Sequence, residues 1–153
     1  MKVQDIMTRD VASCSLDADV AGVTQLMWDR DCGAIPVVDT TGQVVGMVTD
    51  RDICIGLATK GRTAAHVSAR EVMSRGLHTC LSDDDVAAAL DAMKTAKVRR
   101  LPVIDRDGHL KGSLSLNDVV LHTKRKGSPS ADSVVNALKS ICEHRSELLT
   151  ATA

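Results

Sequence analysis

Phenylalanine and tyrosine are absent from the 153 residues, and tryptophan occurs once, at Trp28. Any core must therefore be assembled from Val, Leu, Ile, Met and Ala. A charge excess is missing too: 19 Lys and Arg face 20 Asp and Glu, a net charge of −1. That excludes a chain-wide electrostatic footprint for nucleic acid. No apolar run approaches the roughly 20 residues of a membrane span, so no membrane association is expected. The opening residues, Met1-Lys2-Val3-Gln4-Asp5, lack the apolar stretch of a signal peptide. Cytoplasmic location is the resulting expectation. The five cysteines are odd in number, scattered, and never spaced Cys-x-x-Cys. This favours reduced, partly buried thiols over a disulfide frame. The chain has no Gly-x-x-x-x-Gly-Lys-Ser/Thr loop, no Gly-x-Gly-x-x-Gly and no His-Glu-x-x-His. Its Cys and His residues do not cluster at metal-ligand spacing. No catalytic residue, metal or catalytic cofactor is expected, and the chain does not read as an enzyme.

What is present is a globular composition, 44% hydrophobic and 25% charged, and a stretch that occurs twice. Gly46-Met47-Val48-Thr49-Asp50-Arg51-Asp52 reads as a strand end turning into a helix. Thr49 stands at the N-cap with Asp52 three residues later, a capping-box pattern. The opening helix also offers free N–H groups and a positive dipole end, which suit a phosphate. The stretch is thus either a capped helix alone or a capped helix that binds a nucleotide. It returns as Gly112-Ser113-Leu114-Ser115-Leu116-Asn117-Asp118, a shift of roughly 66 residues. The shift holds without a gap across a whole unit. Met7 falls on Met73, Cys14 on Cys80, Pro36-Val37 on Pro102-Val103, and Gly42 on Gly108. Two copies, at about 3–60 and 69–125, precede a tail.

Periodicity gives each copy the order β-α-β-β-α. In the first, Val11 to Leu16 reads as a strand and Asp17 to Arg30 as a helix striped by Val20, Val23, Leu26 and Met27. Ala34 to Val38 is a buried strand, Asp39 to Gly42 a hairpin turn, Gln43 to Val48 the return strand, and Asp50 to Ala58 the closing helix. In the second copy, Ser82 with Asp85 predicts a boxed helix start. After a Gly127-Ser128-Pro129-Ser130 linker, Val134, Val135, Leu138, Ile141 and Cys142 recur at helical spacing. This predicts an amphipathic helix at 130–148 that must cover its stripe on its own body, a second subunit or a partner protein. Residues 150–153 are expected to fray. Trp28 aligns with Lys94, a solvent-type position, which suggests a subunit contact.

The tandem units, the Ile-Pro-Val-Val-Asp strand with its Gly turn and the Gly-x-x-Thr-x-x-Asp ending resemble a cystathionine-β-synthase (CBS) domain pair, or Bateman module, of the stand-alone bacterial type. The resemblance runs from Val3 to about Thr123. It implies an α/β fold of the α+β type, with two repeats packed through their sheets about a pseudo-twofold axis. It further implies two clefts that take AMP, ADP or ATP, with NAD or S-adenosylmethionine as further possibilities, and pairing into disc-like homodimers. The motif Asp would hold the ribose, which places that role on Asp52 and Asp118; an ionised carboxylate can accept both hydroxyl protons. Thr49 and Ser115 would reach phosphate or ribose. Arg51 would meet phosphate, with Asn117 as its weaker match. Arg99 and Arg100, just before the second Leu-Pro, would also serve phosphate; the first copy has Gly33-Ala34 there, so the clefts should differ. Val11, Ala12, Leu77, His78, Met47 and Ser113 would lie near the adenine. The implied function is a non-catalytic regulatory module with a nucleotide as its ligand and an unidentified protein as a further partner. The alternative is a ligand-free dimerisation scaffold, in which Asp52 and Asp118 only cap helices. Matched Cys14 and Cys80 raise a redox role, which burial in strands would abolish.

Overall fold

The computed structural model describes residues 1–74 and 76–143. Two three-stranded sheets are built on one plan. In the first, β1 (Cys14–Ser15) pairs parallel to β2 (Ala34–Val38), which pairs antiparallel to β3 (Val44–Thr49). In the second, β4 (Cys80–Leu81), β5 (Arg100–Ile104) and β6 (Leu110–Ser115) repeat this arrangement. Helices α1 (Val20–Asp29) and α2 (Asp50–Lys60) belong to the first repeat. Helices α4 (Val86–Ala96) and α5 (Leu116–His122) belong to the second. A single turn, α3 (Ala69–Val72), enters the second repeat, and α6 (Ala131–Cys142) follows it. The α/β fold and the tandem β-α-β-β-α plan are therefore as expected.

Without aromatics, each repeat closes its own aliphatic core. Val20, Val23, Ile35, Val37 and Val48 are buried in the first, and Val86, Leu90, Met93, Leu101 and Leu114 in the second. The lead-in to each repeat crosses to the other. Val3 and Ile6 are buried in the second repeat's core, and Val67 and Ala69 in the first's. Backbone bonds hold these straps: Val3 N–H to the Asp84 carbonyl, Val20 N–H to the Val67 carbonyl, and Ala69 N–H to the Ala18 carbonyl. The exchange binds two units that are each marginal in size. The hairpin tips also meet. Val44 N–H donates to the Gly108 carbonyl and Gln43 Nε2 to the Asp107 carbonyl. Gly42 and Gly108 turn these hairpins with φ of 84° and 87°, a conformation other residues rarely adopt.

Several boundaries differ from the sequence reading. The entering strand shrinks from Val11–Leu16 to Cys14–Ser15, because Val11 and Ala12 remain irregular beside a cleft. Helix α1 starts at Val20, with Asp19 as the N-cap accepting from Gly22 N–H. The Ser82 box does not form. The Ser82 carbonyl accepts from Gln4 N–H, the Asp84 carbonyl from Val3 N–H, and the Asp84 carboxylate from Leu81 N–H. These bonds hold the chain out of the helix until Asp85, which stands at the N-cap position without a side-chain capping bond. Helix α2 runs on to Lys60, where Gly61 turns into the left-handed region.

The tail helix docks on its own body. Ser130 caps it by accepting from Ser133 N–H, and Val134 and Ala137 bury themselves against α4 and α5. The expected continuation to 148 and the expected fraying at 150–153 lie outside the described residues.

Candidate functional site

A cleft of about 290 Å³ lies between the repeats. Its floor comes from the second. Alternation along β6 turns Gly112 and Leu114 inward and leaves Ser113 and Ser115 on the cleft side. Asp118 follows in the first turn of α5, and Arg100 stands beside Ser115 in the β5–β6 register. The opposite wall comes from the first repeat: Val11, Ala12, Ala34 and Pro36. Asp10, Arg30, Asp31 and Cys32 rim it, and Thr8 of the crossing strap closes one end.

The strap fixes the floor. Thr8 and Ser113 exchange backbone bonds of 3.0 and 2.9 Å. A Cβ on Gly112 would stand 2.4 Å from the Thr8 carbonyl oxygen, so only glycine admits the strap at this distance.

Ser115 and Asp118 form the anticipated box. Asp118 Oδ2 accepts from Ser115 N–H at 2.7 Å and from Ser115 Oγ at 2.6 Å, while Ser115 Oγ accepts from Asp118 N–H at 3.2 Å. Among the described residues Oδ1 of Asp118 takes part in no hydrogen bond, and the Arg100 guanidinium has no hydrogen-bond or ion-pair partner. Arg30 pairs with Asp10 at 3.4 Å across the rim. This exposed pair constrains little.

The cleft thus brings together six of the anticipated residues: Val11, Ala12, Arg100, Ser113, Ser115 and Asp118. Eight, Leu77 among them, lie outside it. Thr49 and Asp52 form the equivalent box in the first repeat, with Asp52 Oδ2 accepting from Thr49 N–H at 3.0 Å and Oγ1 at 2.7 Å. Arg51 and Asn117 are exposed at helix starts. Arg99 turns away, its Nη2 at 3.8 Å from Cys142 Sγ on α6. The Met47 carbonyl accepts from the Ser74 N–H and hydroxyl, and His78 is exposed near Gly76. Thr8, Asp10 and Arg30 were missed because nothing in a polar lead-in or a helix end marks them. Thr8 had one signal, its match with Ser74 across the repeat.

Cys14 and Cys80 are buried in β1 and β4. Burial pushes their thiols up, to about 11 and about 12. A thiol held so high is a poor nucleophile, so the redox reading finds no reactive group there. Asp105, Asp107 and His109 come together at one hairpin tip. The Asp105 carboxylate is already taken by the N–H groups of Asp107 and His109 and by Lys111.

The model of the CBS domain matches the chain twice, over residues 3–58 and 69–124, and the chain belongs to that family. Within it the protein is a tandem CBS-domain pair carrying one additional helix. It is 34% identical to the CBS domain-containing protein YhcV of Bacillus subtilis over 78% of this chain and 84% of that protein. An uncharacterised protein of Methanopyrus kandleri is 28% identical over 78% of this chain, which spans 61% of that relative's length. The solved structure of CBSX2 in complex with AMP superposes with a TM-score of 0.70 at 26% identity, over 81% of this chain and 98% of that one.

Proposed function

We propose that this CBS-domain pair is a non-catalytic regulatory module that binds an adenosine nucleotide in the cleft closed by Asp118. The observation that carries the reading is the joining in one cleft of an Asp118 carboxylate oxygen and an Arg100 guanidinium, neither with a partner among the described residues, and an apolar wall from the other repeat. A carboxylate accepts from a sugar diol, a guanidinium pairs with phosphate, and the wall of Val11, Ala12 and Pro36 takes the base face. The similar CBSX2 structure holds AMP.

The charge balance selects within the ligand class. The cleft is lined by Arg30 and Arg100 against Asp10, Asp31 and Asp118. Two guanidiniums against three carboxylates oppose each added phosphate, so AMP ranks above ADP and ATP. NAD and S-adenosylmethionine are further members of the panel. The module works as a homodimer in the cytoplasm and signals to a protein partner by favouring one of two conformations. A ligand shifts such an equilibrium only by its differential affinity. Thermal unfolding of nucleotide-stripped protein with AMP, ATP, NAD and S-adenosylmethionine tests the reading. AMP should raise the midpoint most, since a ligand binding only the folded state stabilises it. No shift with any of the four would leave a ligand-free scaffold.

A further inference from the structure

The family resemblance brings Ser113 near the cleft but gives its hydroxyl no role. Ser113 Oγ is the one buried side-chain nitrogen or oxygen without a hydrogen-bond partner among the described residues. Its own backbone cannot serve it. The Ser113 N–H and carbonyl are both consumed by Thr8, at 2.9 and 3.0 Å. The hydroxyl therefore remains with a donor and two acceptor sites unfilled, inside a site lined by Val11, Ala12 and Pro36. A buried hydroxyl left in this state is costly, and such a group in a native structure calls for an explanation.

Its position supplies one. Ser113 and Ser115 are two residues apart on the same face of β6, a step of about 7 Å along the strand. Asp118, boxed to Ser115, marks the sugar end of the cleft in the reading above. One strand step deeper, beneath the apolar wall, is where the base attached to that sugar must lie. The first repeat has Met47 at the matched position, a side chain with no O–H.

We propose that Ser113 is the base-reading residue of the cleft: its hydroxyl hydrogen-bonds the edge of a purine, so that this cleft selects its ligand by base as well as by sugar and phosphate. This inference rests on the proposed nucleotide function. Its consequence is specificity, because a site built around a buried hydrogen-bonding group rejects an analogue that leaves the group unpaired.

Calorimetric titrations of wild type, Ser113→Ala and Asp118→Asn with AMP, the 1-, 3- and 7-deaza analogues of AMP and purine riboside 5′-monophosphate test it. For Ser113→Ala we expect about tenfold weaker AMP binding, the scale of one hydrogen bond, with an unliganded melting temperature equal to or above that of the wild type. One analogue should lose the same factor on the wild type and lose nothing further on Ser113→Ala, as coupling in a double-mutant cycle requires. Ser113→Ala binding AMP as tightly as the wild type, while Asp118→Asn does not, would overturn the inference and leave the nucleotide function standing. Equal loss for every analogue on both backgrounds would likewise overturn it. Absence of AMP binding to the wild type would overturn both.

Discussion

Asp118 closes the capping box with one oxygen only. Oδ2 accepts from Ser115, and among the described residues Oδ1 makes no hydrogen bond. The capped-helix and ligand-binding readings of the motif are therefore compatible. Asp118→Asn keeps an acceptor for the cap and removes the charge. We expect it to fold as the wild type and to weaken AMP binding by roughly tenfold to a hundredfold, the range for a hydrogen bond to a charged group. Asp52→Asn should leave AMP binding at that cleft unchanged. The two boxes are indistinguishable in sequence because a cap is local. What separates them is the residues facing each box across the pseudo-twofold, and those lie about half the chain away. Only the family resemblance puts Ser113 beside the adenine, since a single serine in an apolar strand carries no mark of an unpartnered hydroxyl.

The cysteines give a second test at this scale. Cys54 and Cys142 are exposed, whereas Cys14 and Cys80 are buried with thiols held at about 11 and about 12. Alkylation at pH 8 followed by mass spectrometry should label the first two and spare Cys14 and Cys80 until the protein unfolds. The same shifts predict the sign of the alkaline limb of stability. A folded pKa raised above the unfolded value of 9.0 favours the native state fully below pH 9. That contribution is lost as pH rises towards 11 and 12, so the urea midpoint should fall above pH 9. Cys14→Ala with Cys80→Ala should flatten that fall. An unchanged slope in the double variant would show that these thiols do not cause it.

Among the elements, α6 was legible as an amphipathic helix but not in its docking. A stripe of Val134, Val135, Leu138 and Ile141 states that one face must be covered and not by what. The structure covers Val134 and Ala137 with α4 and α5, and leaves Val135 half exposed. Val134→Asp places an unpaired charge in that contact and should cost about 2–4 kcal/mol in urea unfolding. Val135→Lys on the open side should stay within about 0.5 kcal/mol. Equal losses would mean that α6 covers a different face in solution. The start of α4 was misread for a related reason. The Ser82-x-x-Asp85 pattern is a good local box, but the strap from residues 2–6 claims the carbonyls of Ser82 and Asp84 and pairs with Asp85. Tertiary pairing overrode local capping, and no local signal announces a strap from the other repeat.

The whole molecule is a pseudo-twofold pair made unequal by its tail. Helix α6 covers the helical face of the second repeat, while α1 and α2 leave the corresponding face of the first open. There Trp28 is 82% exposed beside a depression of about 420 Å³. The homodimer proposed above is assigned to this face. Trp28→Glu should convert a dimer to a monomer in sedimentation equilibrium while leaving AMP affinity within about twofold, since Trp28 is not part of the cleft. A variant that stays dimeric would place the interface elsewhere. The repeat, the strand order and the two helices per unit were legible because each is written in local periodicity and copied once. The inequality of the two halves was not, because it depends on where one helix lands and on which residues meet across the axis.

One cleft, the one containing Asp118, is proposed to bind AMP. Isothermal titration of nucleotide-stripped protein with AMP tests it most directly. We predict one site per chain, retained in Asp52→Asn and lost or strongly weakened in Asp118→Asn. Binding that survives Asp118→Asn but vanishes in Asp52→Asn would contradict the assignment, and a wild-type protein that takes up no AMP would contradict the function.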